Sequence, residues 1–222
     1  MKKKYSIFIV EDHAVYRMGL KELIRQENDL SVCGEADNVE DAWRQIKSHN
    51  PDMVILDLSL KDCHGITLIK DINKYDKNIP ILVLSMYDES LYAERSLSAG
   101  AKGYIMKQEA SETIIRAIRQ ILKGNLYVSE HIIGSILYRM SKHSPDLEKS
   151  PIESLTDREL EVFHLIGSGY KSGEIAKKMN LSVKTIGTYR ERIKEKMCLK
   201  NAADVAKHAA LWIEENDLST KL

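Results

Sequence analysis

Five polar residues stand at or beside the ends of apolar runs, and their types suit phosphoryl chemistry. Glu11 and Asp12 follow Tyr5–Val10, Asp57 lies near the end of Met53–Leu58, Ser85 ends Ile81–Ser85, and Lys107 follows Gly103–Met106. An aspartate carboxylate can attack phosphorus as a nucleophile and give an aspartyl-phosphate. A divalent cation and an ammonium then neutralise the transferring group, which is most of what catalysis of that step requires. Carboxylates brought into one cleft cannot all stay ionised unaided, so either a pKa rises or a hard ion binds. Oxygen ligands with positions left for water suit Mg2+. A single carboxylate at a strand end is ordinary, because strand ends face solvent. The five together form a specific set.

The elements that must position them read as five βα units. Candidate strands are Tyr5–Val10, Leu30–Glu35, Met53–Leu58, Ile81–Ser85 and Gly103–Met106, with helical segments near 14–26, 38–49, 65–75, 89–98 and 111–123. The first, third and fourth runs are almost continuously apolar, as expected of parallel strands covered on both faces. Ile114, Ile115, Ile118, Ile121 and Leu122 share one face of the last helix. This alternation predicts a doubly wound, five-stranded parallel sheet of the flavodoxin-like order, in which the first and third strands are neighbours. Ligands of such sheets bind at the carboxyl ends of the strands, where Glu11, Asp12 and Asp57 converge.

After Gly124 the pattern changes. A helical segment near Glu130–Met140 leads into Ser141–Pro151, where two prolines among small and charged residues mark a linker. The domains are therefore expected at 1–124, with a connecting helix and linker over 125–150 and an all-α domain over 151–218. Thr156-Asp157-Arg158-Glu159 has the form of a capping box. Helices follow near Ser172–Met179, after Ser182 to about Met197, and after Asn201 to about Asn216, so the second domain has four helices. The net charge is zero, but Lys171–Lys200 holds nine Lys/Arg against three Asp/Glu, a candidate polyanion footprint. Two helices joined by the tight turn at Asn180-Leu181 lie in that block, the arrangement of a helix-turn-helix.

At these residues a resemblance is plain. Ile7-Phe8-Ile9-Val10-Glu11-Asp12-His13, Val54-Ile55-Leu56-Asp57-Leu58 with Gly65 eight residues after Asp57, Val83-Leu84-Ser85 and Ala99–Lys107 resemble a response-regulator receiver. Leu155–Val162, Glu174–Met179 and Ser182–Tyr189 resemble the LuxR-type DNA-binding domain, so the whole chain resembles the NarL/FixJ-type response regulators. The resemblance implies that Asp57 accepts phosphate from a histidine kinase, with Asp12 and Asp57 on Mg2+, Glu11 acting through water and the Ser59 carbonyl completing the site. It also implies that Lys107 pairs with the phosphate, Ser85 moves to bond it, and Tyr104 turns inward behind Ser85. In the second domain it places Lys184, Thr185, Tyr189 and Arg192 at DNA phosphates and Gly187, Thr188 and Glu191 where bases are read. Ser172, at a helix start, could offer backbone amides to a phosphate. The implied partners are double-stranded DNA with paired half-sites, a second copy when phosphorylated, and the transcription machinery. The small residues of the last helix with Trp212 could form the dimer seam or simply cover the core.

Three positions depart from the family pattern. Lys61 stands where receivers usually carry proline, Gly187 where a longer and often charged side chain is common, and Tyr189 where histidine is common. A phosphohydrolase using the same nucleophile would be expected to carry a second acid two residues after Asp57, where Ser59 stands, and would leave the second half unexplained. A receiver serving only as a dimerisation scaffold would not need the full set of acids, hydroxyl and lysine. No apolar run approaches the roughly 20 residues needed to cross a bilayer. Tyr5–Val10 is too short, and Glu11-Asp12-His13 too polar, for a signal peptide, so a cytoplasmic regulator without a membrane partner is expected. Cys33, Cys63 and Cys198 are scattered and odd in number, which implies neither a disulfide framework nor structural zinc.

Overall fold

The computed structural model describes residues 4–60, 65–86, 89–141 and 151–219. The five strands are β1 (Tyr5–Val10), β2 (Leu30–Ala36), β3 (Met53–Asp57), β4 (Ile81–Ser85) and β5 (Gly103–Met106). They pair in parallel in the order β2-β1-β3-β4-β5, the flavodoxin-like order expected from the sequence. Between and after them run α1 (Ala14–Arg25), α2 (Val39–His49), α3 (Gly65–Tyr75), α4 (Glu89–Ala99) and α5 (Ser111–Leu122). Side chains alternate across the sheet. Ile7, Ile9, Ile55, Leu84 and Ile105 meet Leu20 and Ile24 of α1 and the isoleucine face of α5 in one core. The alternate residues Phe8, Val10, Val54, Leu56 and Val83 are equally buried, on the side where α2, α3 and α4 pack in series. Register then levels the strand ends, because Val10 pairs with Leu56, Asp57 with Leu84 and Ser85 with Met106. That levelling is what brings the residues after β1, β3, β4 and β5 to one rim.

The stretch after α5 belongs physically to this first unit. Tyr127 lies against the edge of β5, its amide donating to the Lys102 carbonyl at 2.9 Å and its carbonyl accepting from the Tyr104 amide at 2.9 Å. Helix α6 (Glu130–Ser141) packs on α4, with Ile132 buried and the Ser129 hydroxyl 2.7 Å from Glu89 Oε1. Of the expected linker prolines, Pro151 opens the second unit, and Pro145 lies with residues 142–150 outside the described residues.

The second unit holds a short 3-10 turn (Pro151–Ser154), α7 (Asp157–Gly167), α8 (Ser172–Lys178), α9 (Val183–Lys196) and α10 (Ala202–Ser219). Its core joins Leu160, Phe163 and Ile166 to Ile175, Met179, Ile186, Ile193, Val205 and Ala209. The Trp212 ring lies 5.7 Å from Phe163, so this tryptophan covers the domain's own core. The starts of α7, α9 and α10 are capped by local side chains. Thr156 and Glu159 form the expected capping box, Ser182 Oγ accepts from the Thr185 amide at 3.0 Å, and Asn201 Oδ1 accepts from the amides of Ala203 and Asp204. Asn180 takes the left-handed conformation (φ 52°) in the turn between α8 and α9, a conformation asparagine tolerates well.

One ion pair ties the first helix of this unit to the end of α9. Lys196 Nζ lies 2.6 Å from Glu159 Oε2, and the Thr156 amide donates to the same oxygen at 2.8 Å. Burial pushes the Glu159 carboxyl up, but the bonds from Lys196 and Thr156 outweigh it and hold the group below its ordinary value. A carboxyl depressed in the folded state stabilises above its unfolded pKa and loses that contribution as pH falls through the lower folded value. Glu159→Gln is therefore expected to destabilise this unit by about 1–2 kcal/mol at neutral pH. Denaturant melts should show the deficit shrinking as pH falls below the ordinary carboxylate value of 4.5.

Candidate functional site

The rim of the first unit gathers the polar residues that follow the strands. Asp57 and Glu11 are each 1% exposed, and Ser85 is fully buried. Lys107 Nζ sits between the two acids, 2.7 Å from Glu11 Oε2 and 2.8 Å from Asp57 Oδ2. The Lys107 amide donates to the Ser85 carbonyl at 2.8 Å, which continues the sheet ladder and fixes where the lysine stem starts. The other Asp57 oxygen, Oδ1, accepts from the Ser59 amide at 3.0 Å. Beside them, His13 Nδ1 lies 3.0 Å from Asp12 Oδ1, and the His13 amide donates to Glu11 Oε1 at 3.0 Å. Glu11, Asp12, His13 and Asp57 each bring one ligand-type atom within 4.8 Å of the others.

Charge in this cleft is out of balance, with three carboxylates facing one ammonium. Burial and then the Asp57 charge push the Glu11 carboxyl above its ordinary value, against the opposing bonds from Lys107 and the His13 amide. An oxygen-rich set with surplus negative charge fits a hard divalent cation better than a soft metal. A cleft of about 590 Å³ leads from solvent to Lys107, lined by His13, Val15, Tyr16, Met86 and Ile114. Tyr16 stands over the lysine, its ring centroid 4.7 Å from Nζ. Burial, reinforced by the Glu11 and Asp57 charges, pushes its phenol up to about 12. Tyr104, on β5, is 1% exposed.

In the second unit α9 buries Ile186 and Ile193 and exposes Lys184, Gly187, Thr188, Glu191 and Arg192. Thr185 and Tyr189 are half-buried along its flank, and Ser172 is half-buried at the start of α8. The Thr188 hydroxyl lies 3.2 Å from the Lys184 carbonyl, so its proton has a partner within the helix. Glu191 forms an ion pair with Lys194 one turn later, which draws its carboxylate along the helix surface.

Known proteins share both parts. Residues 7–119 match the family described as response regulator receiver domain, and residues 153–209 match bacterial regulatory proteins of the luxR family. The chain belongs to the LuxR-family response regulators. The oxygen regulatory protein NreC of Staphylococcus haemolyticus is 34% identical over 208 residues, covering 92% of this chain and 96% of the relative. NreC of Staphylococcus aureus is 33% identical over the same share of each chain. Among solved structures, a LuxR-family two-component response regulator from Aurantimonas sp. SI85-9A1 is 30% identical with a TM-score of 0.58, covering 63% of this chain and all of its own. RcsB from Salmonella enterica serovar Typhimurium, bound to promoter rprA with the phosphomimetic BeF3-, is 25% identical with a TM-score of 0.59 and covers 93% of this chain and 99% of its own. The family regulates transcription and is not a class of enzymes.

For this response regulator, the strand-end acids, Ser85 and Lys107 stand together as the sequence suggested. Ser59 meets Asp57 through its amide. Lys61 lies outside the described residues. His13 and Tyr16 were missed as members of the cleft. Their signal was present, since both lie within four residues of Asp12, but only the entry angle of α1 decides which way they face. Gly187 is open, because a Cβ placed there meets nothing within 4 Å. Gly187→Ala is accordingly expected to stabilise the second unit by about 0.5–1 kcal/mol, seen as a higher midpoint in a thermal melt.

Proposed function

We propose that Asp57 takes a phosphoryl group from the phosphohistidine of a histidine kinase, and that this switches dimerisation and sequence-specific DNA binding to regulate transcription. The observation that carries the reading is Lys107 Nζ held within 2.8 Å of both Glu11 and Asp57 at the end of the open cleft. An Asp57 carboxylate oxygen attacks phosphorus, the phosphorus–nitrogen bond breaks, and the leaving imidazole nitrogen takes a proton from solvent. Lys107 exchanges its bond to Asp57 for one to a phosphoryl oxygen, and the Ser85 hydroxyl turns to the same group. Asp12, Asp57 and the Ser59 carbonyl would hold Mg2+, with Glu11 reaching it through water. When bound, the ion would supply the positive charge the cleft lacks. The apolar rim formed by Val15 and Met86 suits contact with the kinase.

In this reading the receiver spans 1–124, the connecting helix and linker 125–150, and the DNA-binding domain 151–218. Helix α9 enters the major groove, with Lys184, Thr185, Tyr189 and Arg192 at phosphates, Gly187, Thr188 and Glu191 at base edges, and the Ser172 amide at a phosphate. Two copies on paired half-sites match operator symmetry, and the bound dimer engages the transcription machinery in the cytoplasm. The RcsB structures on promoter DNA with a phosphomimetic support this order of events. No described helix is long and apolar enough to cross a membrane. Lys184→Ala and Arg192→Ala are each expected to weaken binding across all sequences and to lower the log–log salt slope by about 1.

A gel shift on selected DNA tests the switch. Wild type and Asp57→Ala are compared with and without acetyl phosphate and Mg2+. Tighter binding only for treated wild type is expected. Equal binding in all four cases would sink the switching claim and leave the DNA claim standing.

A further inference from the structure

Tyr16 is a member of the acidic cleft for which the phosphoryl chemistry above has no role. It lies in the first turn of α1 and packs partly against the core shared by α1, α5 and the sheet. Its hydroxyl is buried and has no hydrogen-bond partner among the described residues. What the side chain does contact is the ammonium of Lys107, with the nitrogen 4.7 Å from the ring centroid. Lys107 has three N–H donors. Glu11 and Asp57 take two of its contacts, at 2.7 and 2.8 Å, and the side chain is only 4% exposed. The ring therefore covers a face of the ammonium that water would otherwise solvate.

This matters at the moment of transfer. Once Asp57 is esterified, its carboxyl loses the charge that held Lys107. Glu11, with its oxygen 2.7 Å from the same nitrogen, then competes with the phosphoryl group for the lysine. A neutral ring face attracts a cation without binding it in one direction, so it can hold Lys107 in place while its anionic partner changes. We propose that Tyr16 is a positioning residue for phosphoryl transfer, its ring seating the Lys107 ammonium between Glu11 and Asp57 and shielding it from water. The inference rests on the reading that Asp57 is the phosphoacceptor.

The test is the initial rate of labelling of the full chain by radiolabelled acetyl phosphate with Mg2+. Wild type, Tyr16→Phe, Tyr16→Leu and Tyr16→Met are compared, and Tyr16→Leu is repeated in a Lys107→Ala background; thermal melts identify any variant that does not fold. Phenylalanine keeps the ring and should label within about twofold of wild type. Leucine and methionine remove the ring and should label about tenfold more slowly, the order expected when a desolvated cation–ring contact is lost. In the Lys107→Ala background Tyr16→Leu should cost nothing more, because two residues acting through one contact are not additive. Wild-type labelling by a folded Leu or Met variant overturns the proposal. So does a Phe variant as slow as Leu, which would make the hydroxyl the agent, or an undiminished Leu effect without Lys107, which would make the role structural. A wild type that takes no label at Asp57 overturns the phosphoacceptor reading itself and this inference with it, a result distinct from the other three.

Discussion

Asp57→Asn is expected to take no phosphoryl label from acetyl phosphate while remaining folded. The substitution keeps the shape of the side chain and the oxygen that can accept from the Ser59 amide, now 3.0 Å away. It removes the anionic oxygen that would attack phosphorus, and no rate from a neutral amide compares. The fold survives because Lys107 keeps Glu11 at 2.7 Å and so is not left as an unpaired buried charge. The acid balance should change as well. The Asp57 charge is one of the two causes that push Glu11 up, so the Glu11 carboxyl should move back towards its ordinary value in the variant. A carboxyl raised in the folded state favours folding below its unfolded pKa of 4.5, and that contribution is lost as pH rises through the folded value. Without metal, wild type should therefore lose stability more steeply than Asp57→Asn does as pH rises from 4.5 through the folded value. Mass spectrometry of the labelled protein and melts across pH check the two halves separately. A label that persists in Asp57→Asn places the phosphoacceptor elsewhere.

How much of this was legible in the sequence depends on whether a feature is local. Strands β1, β4 and β5 were readable to the residue, since short apolar runs end abruptly at Glu11, Ser85 and Lys107. Strand β3 ends at Asp57, one residue short of the expected Leu58, because Ser59 turns its amide back onto the Asp57 side chain. The capping box at Thr156 and the caps at Ser182 and Asn201 were readable for the same local reason. The acids, Ser85 and Lys107 could be placed on one rim because parallel strands put their carboxyl ends on one side. What the sequence did not show were contacts set by the angle between elements. Tyr16 meets Lys107 across 91 positions of chain, a contact that only the packing of α1 brings about. Lys196 reaches Glu159 across 37 residues because the end of α9 comes back to the start of α7. Helix α6 packs on α4 although the local pattern reads as a connector. Tyr104 could be assigned to β5 from its neighbours, and its burial at 1% exposure follows from the helices packed over that strand.

Phe163→Ala should abolish sequence-specific DNA binding and leave labelling of Asp57 at the wild-type level. Phe163 is fully buried in α7 and tilts at 55° against Trp212 of α10, so it joins two helices that otherwise meet through smaller side chains. Truncating a buried phenylalanine costs about 3–5 kcal/mol. A unit of roughly 70 residues has little to spare, since a core of that size supplies only about 3–5 kcal/mol of net stability. Helix α9 cannot hold its position alone. Isolated helices shorter than about 12–15 residues are marginal in water, and α9 has 14 residues, seated by Ile186 and Ile193 in the core that Phe163 helps fill. Its Lys and Arg side chains would remain on the chain, so weak, salt-sensitive attraction to any DNA should persist while discrimination between sequences disappears. The first unit has its own core around the sheet, in which Phe163 takes no part. Circular dichroism should show one of two transitions lost, and acetyl phosphate should still label Asp57 at the wild-type rate. Loss of labelling together with DNA binding would mean that the two units fold as one, and the separate cores argue against that outcome.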